Sequence, residues 1–472
     1  MPGMQPPLRP IRPAPSGALW ALLLMLLPLL LRWRVLLWLP AGIARVEVEH
    51  GERLAALLEQ FRLGRCRLLL AFRHSDVDDP LCGLWLLSRG LPRTLRPQPV
   101  QFLYDRGMPL WGGRPLGWVL SRLGGISLRR GRHPDWSALR QARQLLRDGP
   151  FPLALAPEGA TNGHGERLGP LEPGAARLAL WCRDDLRRAG REEAVWIVPI
   201  GLRYRYRRPC WARLDRLLAR LERQAGLAPP PPSAAADPDT FRYRRLLRLG
   251  EELLTQLERF YARFGEESGS AAPAPEAQLP LAERITRLRA RVLELAEARL
   301  GLRGAGTAED RCRRIEEMGW QWIHREDLPP RRTLPPLQRG LADWTASEAA
   351  LALRHMRLVE TFVAVSGGYV AESPSFERFA ETALLLHDGL ERLRGASLPS
   401  RPSLGWRRAR LWVAEPISVG AADPVCADLS PRGSARGEVL ALMDLLRRRL
   451  LQAMQEREEP PAAAGSGPAP QV

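Results

Sequence analysis

The chain has 472 residues, a formal net charge of +18 and a pI near 10.9, and every basic side chain in it is an arginine. That length suggests two or three domains, and the ordinary apolar share allows a sizeable core. The excess of base favours an anionic partner. Lipid headgroups fit better than nucleic acid, because the arginines are spread along the chain and no RNP, zinc-finger or homeodomain pattern occurs. The six cysteines, Cys66, Cys82, Cys182, Cys210, Cys312 and Cys426, are widely scattered without a C-x-x-C pair. This argues against a zinc or redox site and for free thiols in a reducing compartment.

In chain order, the first signal is the apolar run Gly17–Leu31, followed by Arg32, Trp33 and Arg34 and a second apolar stretch to Ala44. A fifteen-residue helix reaches only about 22 Å, short of a hydrocarbon core of about 30 Å. Extending it would bury two arginines at about 2.5–3.5 kcal/mol each. Residues 17–44 therefore read as a membrane anchor that dips into one leaflet or forms a short hairpin, with Trp20, Trp33 and Trp38 near the interface. The two internal arginines weigh against a secretory signal.

Residues 45–207 alternate strand-like and helix-like patterns, which predicts an α/β core. The strand-like runs are 68–72, 100–104, 126–128, 152–156 and 195–202. Asp135 is placed to cap a helix carrying Trp136, Leu139 and Leu145, with Gly149 as its stop. Residues 208–403 read as an α-helical insertion or accessory region, with Pro-rich linkers around 228–239 and 268–280. Within it, Leu246, Leu249, Leu253, Leu257 and Phe260 share one helix face, and Ile285, Leu288, Val292 and Leu295 another. Ser373 before Pro374 predicts a helix start. Residues 404–456 return to a strand at 410–413 and a final helix from 438 to 455. Residues 457–472 have the composition of a disordered tail.

Four short blocks carry chemistry. The first is R-H-S-D-V-D-D-P at 73–80, which sets His74 four residues before Asp79, just after a strand. Histidine, with an ordinary pKa of about 6.5, accepts a hydroxyl proton near neutral pH, and a carboxylate on its other ring nitrogen fixes the tautomer. The second is G-G-I-S-L-R-R at 124–130, a glycine turn and short strand ending in two arginines suited to phosphate oxygens. The third is A-P-E-G-A-T at 156–161, an acid and a glycine after a strand. The fourth is V-P-I at 198–200. Each taken alone also reads as a surface loop, a solvated charge pair, a turn or plain strand. Cys82 lies near the first block and reads as inert packing.

All four blocks in this order resemble the glycerophospholipid acyltransferase family, the group containing lysophosphatidate (1-acylglycerol-3-phosphate) acyltransferase. That family carries H-x4-D, G-x-I-F-I-x-R, F-P-E-G-T-R and V-P-[VI] blocks. The segment 165–180 and the ending W-V-A-E-P-I-S-V also resemble it. The resemblance implies that His74 is the catalytic base and Asp79 its partner, and that Gly124, Arg130, Glu158 and Gly159 bind the acceptor. It implies no metal and no cofactor, only a thioester of acyl-carrier protein or coenzyme A as co-substrate. Arg73 stands where the family often has Asn, Ser127 where it has Phe, and Ala160-Thr161 where it has Thr-Arg, so one phosphate-binding arginine is missing.

The expectation is an α/β acyltransferase core with an N-terminal membrane anchor and a large helical insertion. It would act at the cytoplasmic membrane face on a lysoglycerolipid acceptor, foremost 1-acylglycerol-3-phosphate, giving phosphatidate. The alternatives are another lysophospholipid or glycerol 3-phosphate as acceptor, or a catalytically weak membrane-binding scaffold on the same fold.

Overall fold

The structure is a computed structural model that describes residues 3–8, 11–34, 41–129, 135–159, 161, 163–228, 237–264, 279–363, 368–396, 398–420 and 435–455. Arg130, Cys426, Trp38, most of both linkers and the C-terminal tail lie outside these residues.

The strands are β1 (Ile43–Glu49), β2 (Cys66–Phe72), β3 (Gln101–Asp105), β4 (Gly125–Leu128), β5 (Leu153–Leu155), β6 (Ala194–Tyr206), β7 (Arg407–Val413) and β8 (Ile417–Ser418). They form one sheet in the order β1-β7-β6-β2-β5-β3-β4, with β8 pairing β6. The pairs are parallel except where β7 and β8 meet β6. The strand β1 had no counterpart among the runs read from the sequence. Its segment IARVEVE is charged at every second position and buries only Ile43 and Val46.

Because β7 lies between β1 and β6, the chain leaves the sheet at Tyr206 and must return to complete it at Arg407. The excursion contains α8 (Trp211–Gln224), α9 (Pro238–Phe264), α10 (Leu281–Arg299), α11 (Ala308–Ile323), α12 (Pro336–Val363), α13 (Tyr369–Glu372) and α14 (Phe376–Leu393). These helices bury two apolar cores of their own, one around Leu293, Ile315 and Met356 and one around Leu218, Leu249 and Phe379.

The sheet is covered on both faces. One face packs on α1 (Gly17–Arg32), α2 (Gly51–Arg62) and α3 (Asp79–Trp85), and the other on α6 (Trp136–Asp148), α7 (Gly174–Arg188) and α15 (Ala435–Gln455); the short α4 (Met108–Gly112) and α5 (Arg114–Arg122) join β3 to β4. This is the arrangement that parallel strands require, since both of their faces must be buried.

Some local expectations agree with the structure and others need correction. α1 has sixteen residues, and no described helix is long and apolar enough to cross a membrane. Trp20, Leu27 and Leu31 of α1 are buried against the protein, so Trp20 does not sit at a membrane interface; Leu22, Met25, Leu29 and Trp33 are exposed. Asp135 caps α6 by accepting from the Ala138 amide. The buried face of that helix, however, is Ala138, Ala142 and Leu146, while Trp136 is exposed. The helix after Pro374 starts at Ser375, whose hydroxyl accepts from the Arg378 amide, whereas Ser373 ends α13. Ser375 directly precedes the first helical residue and its hydroxyl reaches the amide of the third, the bond an N-cap makes, whereas Ser373 lies two residues too early. Phe260 is exposed although the leucines in its heptad pattern are buried.

Candidate active site

Strand β2 carries the chain out of the core between β5 and β6, and the amide of Arg73 still pairs with the Ile200 carbonyl at 2.9 Å. The next residue is His74. Its amide donates to a Glu158 carboxylate oxygen at 2.9 Å, and its ring Nδ1 lies 3.1 Å from Oδ2 of Asp79. The same Oδ2 accepts the amides of Ser75 at 2.5 Å and Asp76 at 2.9 Å. The loop is therefore wrapped around the carboxylate before the imidazole is added. Asp79 is the first residue of α3, followed by Pro80, which needs no amide partner at that position. The imidazole is partly exposed, while Asp79 is buried. With Nδ1 facing a carboxylate, the tautomer that donates from Nδ1 leaves Nε2 as the basic atom, and no bond to Nε2 occurs among the described residues.

Tyr204, on β6, donates its hydroxyl to the other oxygen of Asp79 at 2.6 Å. It is buried, as is Cys82, whose sulfur lies 3.6 Å from the same hydroxyl. Burial pushes both the Tyr204 hydroxyl and the Cys82 thiol well above their ordinary pKa, so neither ionises in the working range. The sequence reading stopped this strand at Leu202 and missed Tyr204. The alternation Leu202, Tyr204, Tyr206 against Arg203 and Arg205 was the available signal.

Glu158 follows β5, the neighbour of β2, and is buried. Its second oxygen accepts the Gly169 amide at 2.8 Å. Burial raises its pKa, opposed by Arg73 and by the two amides. Gly159 has φ +75, the left-handed backbone that glycine adopts without strain.

Arg73, where the resemblance expected Asn, is fully buried. Its guanidinium donates to the carbonyls of His164 (2.7 Å), Gly165 (2.6 Å), Arg167 (2.8 Å) and Leu202 (2.8 Å). It thereby fixes the 163–169 loop, which also supplies the Gly169 amide to Glu158.

Thus His74, Asp79, Glu158 and Gly159 meet at the C-terminal ends of β2 and β5. Gly124 does not join them. It precedes β4, at the N-terminal end of the parallel strands, about 13 Å of strand length at 3.3 Å per residue from the end where the site lies. Its φ of +92 and the Val100 carbonyl 3.3 Å from any added Cβ explain the glycine as a tight turn. Arg130 lies outside the described residues. Its neighbour Arg129 faces Glu317 of α11 at 3.5 Å.

The remaining acids of the His74 loop are held by the segment that returns from the helices. Arg407 bonds Asp76 at 2.8 Å, and it also bonds Asp78 and the Ala41 carbonyl. Arg401 binds Asp388 at 2.8 Å and lies 3.9 Å from Asp76. The helical region also reaches the 163–172 loop through Glu381 to the Gly165 amide (2.9 Å), Arg167 to Glu372 (2.6 Å) and Arg313 to Glu172.

A groove of 1340 Å³ opens beyond the ends of β3 and β4, walled by residues 3–8 and Ile11, by Leu110 and Trp118, and by Arg325 and residues 328–332. It stands two strands away from β2, about 10 Å across the sheet.

A buried carboxylate, an imidazole with one nitrogen engaged and the other toward solvent, and a backbone-anchored loop form a general-base arrangement. Among the described residues no group of three potential metal ligands occurs. No curated protein matches the chain. Residues 45–203 match the family model described as Acyltransferase. That stretch runs from β1 through β6 and contains His74, Asp79, Glu158 and Gly159. Residues 45–203, about a third of the chain, are thus what is similar to the acyltransferase family, and the match supports an acyltransferase activity for the α/β part of the chain.

Proposed function

We propose that this acyltransferase moves a fatty acyl group from a thioester of acyl-carrier protein or coenzyme A to the hydroxyl of a lysoglycerolipid, with 1-acylglycerol-3-phosphate as the favoured acceptor and phosphatidate as product. The observation that carries the reading is the His74–Asp79 contact at 3.1 Å, with the imidazole open on its other side. In this reading Nε2 of His74 takes the proton of the acceptor hydroxyl as its oxygen attacks the thioester carbonyl. The C–S bond then breaks, and the departing thiolate takes the proton from the imidazolium. No acyl-enzyme forms, so no nucleophilic serine or cysteine is used. Asp79 holds the tautomer and stabilises the imidazolium. Glu158, engaged by two amides, positions the His74 loop rather than the acceptor. Arg130 is assigned to the acceptor phosphate.

We place the enzyme at the cytoplasmic membrane face, resting on the exposed side of α1. The apolar side chains Leu22, Met25 and Leu29 would lie in one leaflet. Another lysophospholipid, whose phosphodiester carries one negative charge rather than two, is the alternative acceptor favoured by Thr161 standing where an arginine was expected; glycerol 3-phosphate is a further alternative. The test is thiol release from an acyl thioester by the purified full chain, across a panel of lysolipids and glycerol 3-phosphate. Release that depends on a lysolipid and is largest with 1-acylglycerol-3-phosphate is expected. Release with no acceptor dependence would leave only a scaffold.

A further inference from the structure

Fifteen large apolar side chains are conspicuously exposed among the described residues, and seven of them sit on two elements. Four belong to α1 and its end: Leu22, Met25, Leu29 and Trp33. Three belong to the start of α12: Leu337 (74% exposed), Leu341 (55%) and Trp344 (68%). The positions 337, 341 and 344 form a stripe about 60° wide on a helix turning 100° per residue. The buried side of the same helix, through Ala342, Ala346 and Ala349, points elsewhere.

The first turns of α12 project from the body, since residues 335–341 are all exposed. From Pro329 to Ala342 the chain holds three arginines and no acid. Arg331 pairs with Asp343 at 2.6 Å, while Arg332 and Arg339 are exposed and come within 4 Å of no carboxylate among the described residues, Arg339 adding only to the field that lowers the Asp343 pKa.

The stripe is linked to the rest of the site. Arg331 and Arg332 line the same groove as Leu110 and Trp118. The N-terminal strap runs from α12, where the Met4 amide bonds Asp343 at 2.9 Å, to the helix before β4, where the Ala14 amide bonds Ser121 at 3.0 Å, and then into α1.

We propose that the N-terminal end of α12 is a second membrane contact, with Leu337, Leu341 and Trp344 inserted into an anionic bilayer and Arg332 and Arg339 among its headgroups. Projecting leucines and a tryptophan beside unpaired arginines match the acyl–headgroup boundary, which is apolar below and anionic above. A second copy of this chain fits less well, because it would bring the same unpaired arginines against one another. The proposal rests on the membrane placement of the proposed function but not on its chemistry. It gives the helical region a role: it fastens the groove mouth to the leaflet that holds the lipid substrate.

The experiment is co-sedimentation of the full chain with phosphatidylcholine vesicles, with and without phosphatidylglycerol. The wild type is compared with L337S/L341S/W344S and with L22S/M25S/L29S. The α12 variant should keep its circular dichroism spectrum and its thiol release with a dispersed short-chain lysolipid, yet bind anionic vesicles about 10- to 100-fold more weakly. R332Q/R339Q should lose affinity only for anionic vesicles, and added salt should erase that difference. Binding within twofold of wild type for the α12 variant would overturn the proposal while leaving α1 as the anchor. A concentration-dependent dimer that the α12 variant dissociates, with vesicle binding unchanged, would overturn it in favour of self-association. No vesicle binding by the wild type would remove the membrane placement itself, and thiol release would still report separately on the chemistry.

Discussion

The loop after β2 and the first turns of α12 break opposite rules of folding. The loop buries Asp78 and Asp79 beside Arg73 and Arg407, whereas α12 leaves two leucines and a tryptophan in water. Buried charge is tolerated only when each lone pair and proton finds a partner. In the loop most of them do: Asp79 is bonded by two amides, an imidazole and a tyrosine, and Arg73 by four carbonyls, while the Arg73 Nε and the Ser75 hydroxyl find no partner among the described residues. The α12 stripe has no such internal resolution, and its cost is recovered only by an outside partner. One region satisfies most of its polar groups within the chain, while the other leaves apolar surface for an outside partner.

The contrast can be broken most severely at His74. His74→Ala should lower turnover by about 10²–10⁴-fold, the worth of a positioned general base. Its unfolding midpoint should hardly move, because the partly exposed imidazole carries little packing. Steady-state thiol release together with urea unfolding checks both halves, and near-normal turnover would remove His74 from the mechanism.

Next comes Arg407, the cation between Asp76 and Asp78. Arg407→Met leaves two buried carboxylates without their shared partner and should cost about 3–5 kcal/mol of stability, read from chemical denaturation. A loss below about 1 kcal/mol, as for a surface pair, would mean the loop does not depend on internal pairing.

Tyr204→Phe is subtler, since it removes one hydroxyl and little packing. Removing a hydrogen bond to a charged group costs about 1.5–3 kcal/mol in all, and turnover should fall by about tenfold. Without that donor Asp79 presents more negative charge to His74, which favours the imidazolium. The acidic limb of the pH–rate profile should therefore move to higher pH. A rate loss with an unmoved limb would make Tyr204 a packing residue only.

The smallest effect concerns the contact between α14 and the 163–169 loop. Burial raises Glu381 from the usual carboxylate range to about 7, while Tyr369 and the Gly165 amide hold its oxygens. A carboxyl group whose folded pKa lies above its unfolded one adds stability that is full below about 4.5 and is lost as pH rises through about 7. The residue keeps some solvent exposure, which screens the new charge, so the loss between pH 6 and pH 8 should be about 1–2 kcal/mol. Glu381→Gln should flatten that part of the stability–pH curve, and an unchanged slope would exclude Glu381 as its source.

What could be read from the residues alone follows from range. The His74–Asp79 pair lies within one six-residue loop, so its spacing already dictates proximity once a strand precedes it. The α/β alternation and the Asp135 cap are likewise local, set by side-chain period and by one hydroxyl or carboxylate near a free amide. Tyr204 and Arg407 stand far from Asp79 and Asp78 in the chain and reach them only because β6 lies beside β2 and β7 beside β6. No spacing encodes that. Gly124 shows the same limit in reverse: its motif sits near the others in the chain, yet the direction of a parallel strand carries it to the opposite end of the strands. The apolar composition of Gly17–Leu31 was plain in the sequence, but only packing separated the buried Trp20, Leu27 and Leu31 from the exposed Leu22, Met25 and Leu29. Local chemistry is therefore determined by the order of residues, while partnership across strands and the choice of which apolar face meets solvent are decided by the closed sheet and the helices laid on it.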